Sequence, residues 1–226
     1  MDLQKQNASV LVQSENSSFH KVLQMFAISI LVSFIGTAVG TNLVDWGLGW
    51  LFLPLIFVQL GMLVAAFFVR RKGRPVGYFF VYTFTFIVGI TIYPAIAAYA
   101  KIGGAGLVTS AFGITTAIFA ALTVYAYFSK RDFSFLGGML FVGLIALIGI
   151  SIVSIFVPEL RQGFVGLAIA FLGIMIFSGF VLYDVSKYKE GLPDEYIPLA
   201  VLSLYLNFIN IFLYVLQFLG ILSNDD

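Results

Sequence analysis

Charged residues divide this chain into seven long stretches that contain no Asp, Glu, Lys or Arg. They are Val22–Val44, Trp46–Val69, Pro75–Ala100, Ile102–Ser129, Phe133–Pro158, Gln162–Tyr183 and Tyr196–Asn224, of 23, 24, 26, 28, 26, 22 and 29 residues. Each exceeds the roughly 18 to 20 apolar residues with which a helix crosses a hydrocarbon core. The pattern predicts seven membrane-spanning helices. A transmembrane β-barrel is excluded, because its strands alternate apolar and polar residues over about ten positions, whereas these runs are continuously apolar.

Between the runs the gaps are short, so any function sits in the helical bundle or on its rim. The first 21 residues, rich in Gln, Asn and Ser, read as a short disordered polar tail on the cytoplasmic side. A full-length span follows, unlike a cleaved signal peptide, whose apolar core has only about 7 to 15 residues. The expected organisation is a tail over 1–21, a seven-helix domain over 22–222 and a short acidic tail over 223–226. Ten cations fall on the side of Lys5, Lys21, Arg70, Arg71, Lys72, Arg74, Lys130, Arg131, Lys187 and Lys189; two, Lys101 and Arg161, fall on the other. The positive-inside rule places the amino terminus in the cytoplasm and, with seven spans, the carboxyl terminus outside. Trp46 and Trp50 lie at the outer turn, as interface anchors do.

Composition narrows the class. The chain is 61% hydrophobic and 10% charged with net charge +1, and its mean hydropathy is +1.03, where a soluble domain carries about 25% charged residues. With no basic patch beyond short loops, no Cys and a single His20 before the first span, a soluble enzyme, a nucleic-acid binder and a disulfide scaffold are excluded. No cofactor is expected, since a His/Cys metal site or haem has no intramembrane ligands. No enzyme is expected either, since no nucleophile–base pair can form without an intramembrane His, Cys or Lys. A retinal protein lacks its seventh-span Lys, and no T-V-G-Y-G filter is present. The 22 glycines read as close helix packing.

Polar chemistry enters the spans at few points. Ser203, Asn207, Asn210, Tyr214 and Gln217 recur at steps of 4, 3, 4 and 3 along the seventh run, on one helix face. Unpaired amides facing hydrocarbon are costly, so this face turns to partner helices or to a water-filled cavity; periodicity leaves both readings open. Among the acids, Asp184 directly continues the sixth apolar run at its cytoplasmic end. An ionised carboxylate at membrane depth costs a few kcal/mol unless paired or hydrated. Arg70, ending the second run on the same side, is its available partner, and the pair would latch the cytoplasmic end of the bundle. Independent snorkelling of the two side chains is the alternative. Gln59 is a further isolated polar group, three turns deeper than Arg70, and Pro94 is expected to kink the third span.

The segments V-G-Y-F-F-V-Y-T-F-T-F-I-V-G-I-T at Val76–Thr91, D-F-S-F-L-G-G-M-L at Asp132–Leu140, V-L-Y-D at Val181–Asp184 and L-S-L-Y-L-N-F-I-N-I-F at Leu202–Phe212 resemble the Bax inhibitor-1 (transmembrane Bax inhibitor motif) family. The bacterial members are the more similar, over nearly the whole chain from about residue 20. The resemblance implies an all-α integral membrane protein with six helices surrounding a central seventh, in a bacterial inner membrane, and a pH-sensitive calcium leak. It also implies a proton shared by acids on the sixth and seventh helices, and an Arg at the end of the second helix that pairs with one of them. Carried over, the sixth-helix acid is Asp184 and the Arg is Arg70.

Two positions depart from that pattern. The seventh-helix acid falls on Asn207 and a second-helix acid on Gln59. Two facing carboxylates make a proton sensor, and Asn207 cannot titrate. Calcium as a transported ion is retained as an expectation, although a divalent site prefers carboxylates and Asp184 is the one this cavity keeps. The leading expectation is therefore a passive cation leak along a polar face formed by Gln59, Ser203, Asn207, Asn210, Tyr214 and Gln217. It is gated by the Arg70–Asp184 latch, with pH sensing altered by Asn207. The second expectation is a non-transporting regulator of a membrane partner such as an FtsH-type protease, because some relatives that modulate such proteases share S-F-L-G-G-M-L and do not keep two Asp residues.

Overall fold

In the computed structural model the backbone is described for residues 2–71 and 75–224; the side chains of residues 2–17, 67, 70 and 71 lie outside the description. Its elements are six α-helices: α1 (Asp2–Asp45), α2 (Phe52–Arg71), α3 (Tyr78–Phe128), α4 (Leu136–Phe156), α5 (Gly163–Tyr188) and α6 (Ile197–Asn224). Single 3-10 turns at Gly49–Leu51, Pro158–Arg161 and Asp194–Tyr196 join several of them. No strand occurs among the described residues. Helices are the outcome because an open segment in hydrocarbon must satisfy every N–H and C=O within itself. The prolines at positions 54 and 198 fall in the first turns of α2 and α6, where the missing N–H costs nothing.

All six helices contain stretches long and apolar enough to cross a membrane. The third and fourth sequence runs both lie in α3, whose 51 residues would span about 75 Å at 1.5 Å per residue, against a hydrocarbon core of about 30 Å. This helix is interrupted at Gly104, with φ 71° and ψ −175°. That is a conformation glycine adopts without the Cβ penalty of other residues. The boundary between the third and fourth runs was expected at the charge of Lys101. Instead α3 runs helical through that residue, and the backbone departs from the helix three residues later. Pro94, where a kink was expected, lies inside the helix.

The amino-terminal segment also differs from expectation. Rather than a disordered tail, its backbone is helical from Asp2 onward and continuous with the first apolar run. Extending an existing helix adds a hydrogen bond per residue without a new nucleation cost, so polar residues follow where the apolar span has already formed the helix.

The chain divides into two compact units, 1–95 with 188–205 and 96–187 with 206–226. In the first, α1 and the start of α3 approach closely through glycine. A Cβ on Gly36 would lie 2.2 Å from the Phe86 carbonyl oxygen, and one on Gly89 would lie 2.1 Å from that of Ser33. Thr37 donates its hydroxyl to both Ser33 O and Gly89 O at 3.1 Å. At one end of this unit Lys21 pairs with Asp194 at 3.2 Å, and Leu192 N–H donates to the Ser18 hydroxyl at 3.1 Å. The start of the first apolar run and the loop after α5 therefore share that end.

In the second unit Phe208 of α6 meets the rings of Phe112 and Phe119 edge-on, with centroids 5.9 and 5.5 Å away. Tyr214 stacks on Phe177 at 6.0 Å, over Gly173. Burial is uneven: 67% of the apolar stretch of α6 is buried, against 6 to 28% in the other five helices. The remaining helices present large apolar side chains outward, as lipid-facing helices do.

Candidate functional site

The carboxylate singled out in the sequence lies in the second unit, in the penultimate turn of α5. Asp184 is 7% exposed and follows the buried Val181; Val185 and Ser186 after it are buried as well. On α6, Asn207 is 5% exposed and donates its side-chain amide to Asp184 Oδ2 at 2.8 Å. A hydrogen bond to a charged group contributes about 1.5 to 3 kcal/mol, and in a low-dielectric setting the amide is a donor that no pH change removes. The carboxylate is thus held by a permanent donor where a second acid would have to supply a proton.

The rest of the polar stripe behaves differently from Asn207. Ser203, Asn210, Tyr214 and Gln217 are half-buried, so the stripe follows the less enclosed side of α6 and Asn207 lies at its buried margin. Asn210 turns its amide back to the Leu206 carbonyl at 2.7 Å, satisfying itself within the helix. Ser203 belongs to the first unit, the other four to the second. Gln59, in the first unit, is half-buried and accepts the Thr91 hydroxyl at 2.8 Å. The backbone of Arg70 ends α2, and its side chain lies outside the described residues, so the expected latch falls there too.

Sequence reasoning missed a buried network in the first unit. Tyr205, fully buried, has its hydroxyl 2.7 Å from Ser33 Oγ and donates to the Thr85 carbonyl at 3.4 Å. It ties α1 and α3 to the start of α6. The one signal available was that Tyr205 stands between Ser203 and Asn207 in an otherwise aliphatic segment. In the second unit, Lys187 lies with its ammonium 3.9 Å from the Tyr183 ring centroid and hydrogen-bonds the Tyr183 hydroxyl. Among the described residues no group of three or more His, Cys, Asp or Glu converges on a metal position. An open cleft of about 350 Å³ lined by Gly103, Gly106, Leu107, Ser110, Leu219, Leu222 and Ser223 includes none of the residues named from the sequence.

Apolar helices of spanning length with one buried carboxylate–amide pair define a helical membrane protein. The profile of the family described as "Inhibitor of apoptosis-promoting Bax1" matches residues 15–224. An uncharacterized protein of Helicobacter pylori is 33% identical over 222 residues, 96% of this chain and 93% of its own length. An uncharacterized membrane protein of Vibrio cholerae is 35% identical over 76% of each chain. A Schizosaccharomyces pombe protein named Bax inhibitor 1 is 34% identical over 78% of this chain and 64% of its own. The chain belongs to the Bax inhibitor-1 family.

Proposed function

We propose that this protein is a passive cation-leak protein, with calcium the expected ion, whose gate position is the Asp184 carboxylate held by Asn207. The observation that carries the reading is the 2.8 Å bond from the Asn207 amide to Asp184. It joins the acid that ends the sixth apolar run to the helix that bears the polar stripe. The half-buried Ser203, Asn210, Tyr214 and Gln217 supply the polar face along which a hydrated cation would move, with Gln59 as a further polar group. The Arg70 guanidinium, which the sequence puts at the end of the second run, is the cation that closes the path by pairing with Asp184. Opening follows when that pair separates.

In this reading α3 contributes two spans, supported by its 51-residue length and the break at Gly104. The total is then seven, six of them around α6, whose burial exceeds that of the others. The amino terminus is cytoplasmic, the carboxyl terminus outside, and the membrane is a bacterial inner membrane. Because Asn207 cannot titrate, pH acts on the gate through Asp184 alone, without the shared proton of a carboxylate pair. Calcium flux into proteoliposomes, read at several pH values, tests this directly.

The same amide also favours a second reading, a non-transporting regulator that binds an FtsH-type membrane protease or another membrane partner. A fixed amide–carboxylate bond suits a bundle that stays shut. Co-purification of a stoichiometric protease from native membranes, with no flux from the purified protein, would select it.

A further inference from the structure

The α3–α4 loop carries a charge arrangement that the leak does not use. Phe128, the last residue of α3, is 76% exposed and Phe135, just before α4, is 75% exposed. Between them Lys130, Arg131 and Asp132 are all exposed. Asp132 is tied to its own loop: Oδ1 accepts the Ser134 backbone N–H and Oδ2 the Ser134 hydroxyl, both at 2.8 Å. These bonds hold its carboxyl below the usual carboxylate range and fix the loop that carries the two cations.

The opposite end of α4 provides an internal comparison. There Phe156, 80% exposed, and Phe164, 84% exposed, bracket another short loop, but its charges are one acid, Glu159, and one base, Arg161. Both loops carry an exposed aromatic ring on each side. Of these two loops, the α3–α4 one has adjacent cations. A loop of seven residues, 129–135, reaches at most about 24 Å fully extended, so cations flanked by lipid-facing rings stay at headgroup depth.

We propose that the α3–α4 loop is a binding site for anionic phospholipid headgroups, with Lys130 and Arg131 contacting the phosphate and Phe128 and Phe135 setting the depth in the acyl boundary. A cation near an anionic surface strengthens association about fivefold, so the two cations, offset by the exposed Asp132 carboxylate, give roughly a fivefold preference over zwitterionic lipid. Salt weakens it, because exposed charges are screened within about 8 to 10 Å.

The full-length protein in nanodiscs of phosphatidylcholine with a graded fraction of phosphatidylglycerol, read by native mass spectrometry of the bound lipid, tests the site. The double variant Lys130→Gln with Arg131→Gln is expected to lose most of the phosphatidylglycerol preference and Arg161→Gln to keep it, both retaining the wild-type thermal midpoint. Equal phosphatidylglycerol retention by wild type and double variant, or an equal loss in Arg161→Gln, overturns the proposal. So does full displacement of the lipid by soluble glycerol phosphate, which would make the site one for free phosphate esters. Should the double variant fail to fold, wild-type protein in 0.5 M salt serves instead, and an unchanged preference there also overturns it.

Discussion

Asn207 on α6 donates its side-chain amide to the buried carboxylate of Asp184 on α5 at 2.8 Å. Two facing carboxylates could make that bond only by sharing a proton. The amide makes it without a shared proton, so the donor side of this pair does not titrate.

Removing the donor should therefore weaken the fold. Asn207→Leu takes one hydrogen bond from a buried carboxylate and is expected to lower unfolding free energy by about 2 kcal/mol, within the range for hydrogen bonds to charged groups. Chemical denaturation in detergent micelles measures it. A variant as stable as wild type would show that the amide contributes nothing net.

Replacing the amide by an acid should create a pH response. In Asn207→Asp the pair is cohesive while it shares a proton and repels itself once both carboxyls are ionised. Its stability is then close to wild type in mild acid and falls as pH rises through loss of the shared proton. Wild type has no second carboxyl there and lacks this loss at higher pH. Thermal midpoints from pH 5 to 8 distinguish the two curves.

The close approach of α1 and α3 leaves no room at Gly89. Its Cβ would meet the Ser33 carbonyl oxygen at 2.1 Å, and backbone cannot rotate away as a side chain can. Gly89→Ala is expected to cost 1–3 kcal/mol or more, the range for overpacking. Gly61→Ala, where nothing lies within 4 Å, should be neutral or slightly stabilising. Melting curves of both variants provide the comparison.

Tyr205 and Ser33, 2.7 Å apart through their hydroxyls, should be energetically coupled. A double-mutant cycle of Tyr205→Phe and Ser33→Ala is expected to give about 0.6 to 2 kcal/mol, as interhelical hydrogen bonds in membranes do. A coupling indistinguishable from zero would mean that the hydroxyls find equal partners elsewhere.

The Asp132 turn has a different pH window. Since Ser134 holds that carboxyl below its ordinary value, its contribution to loop order is complete above the unfolded carboxylate pKa, about 3.9. It is lost as pH falls through the lowered folded value. Exchange protection of the Ser134 amide should thus be constant from pH 7 to 5 relative to an unstructured peptide. Asp132→Ala should lose it throughout.

Much of this arrangement was legible in the chain, and the misses have physical causes. Charge-free runs mark lipid-crossing segments because the cost of a buried charge is local, so the runs map onto the helices without reference to tertiary contacts. Asp184 stood out for the same reason. Its partner did not: Asn207 is 23 residues away, and periodicity gives a face of α6 but not what it meets, so that pairing came from the family resemblance. Tyr205 was missed because an aromatic ring dominates its hydropathy and hides the hydroxyl. The α3 break falls three residues past the Lys101 charge that marks it in the sequence, because Gly104 adopts a φ of 71° that ends the regular spiral, whereas a single charge at a run boundary does not interrupt the backbone hydrogen bonds. Nothing in the polar composition of the amino-terminal segment indicated that the helix of the first span would extend back through it.

The leak, with a gate held by an amide, stands or falls on ion flux. Calcium-sensitive dye in proteoliposomes, read at pH 6, 7 and 8 for wild type and Asn207→Asp, is the direct measurement. Flux above empty vesicles that changes less with pH in wild type than in Asn207→Asp is the expected result. No flux from either protein at any pH, or a wild-type leak as steeply pH-dependent as that of the acid variant, would contradict it.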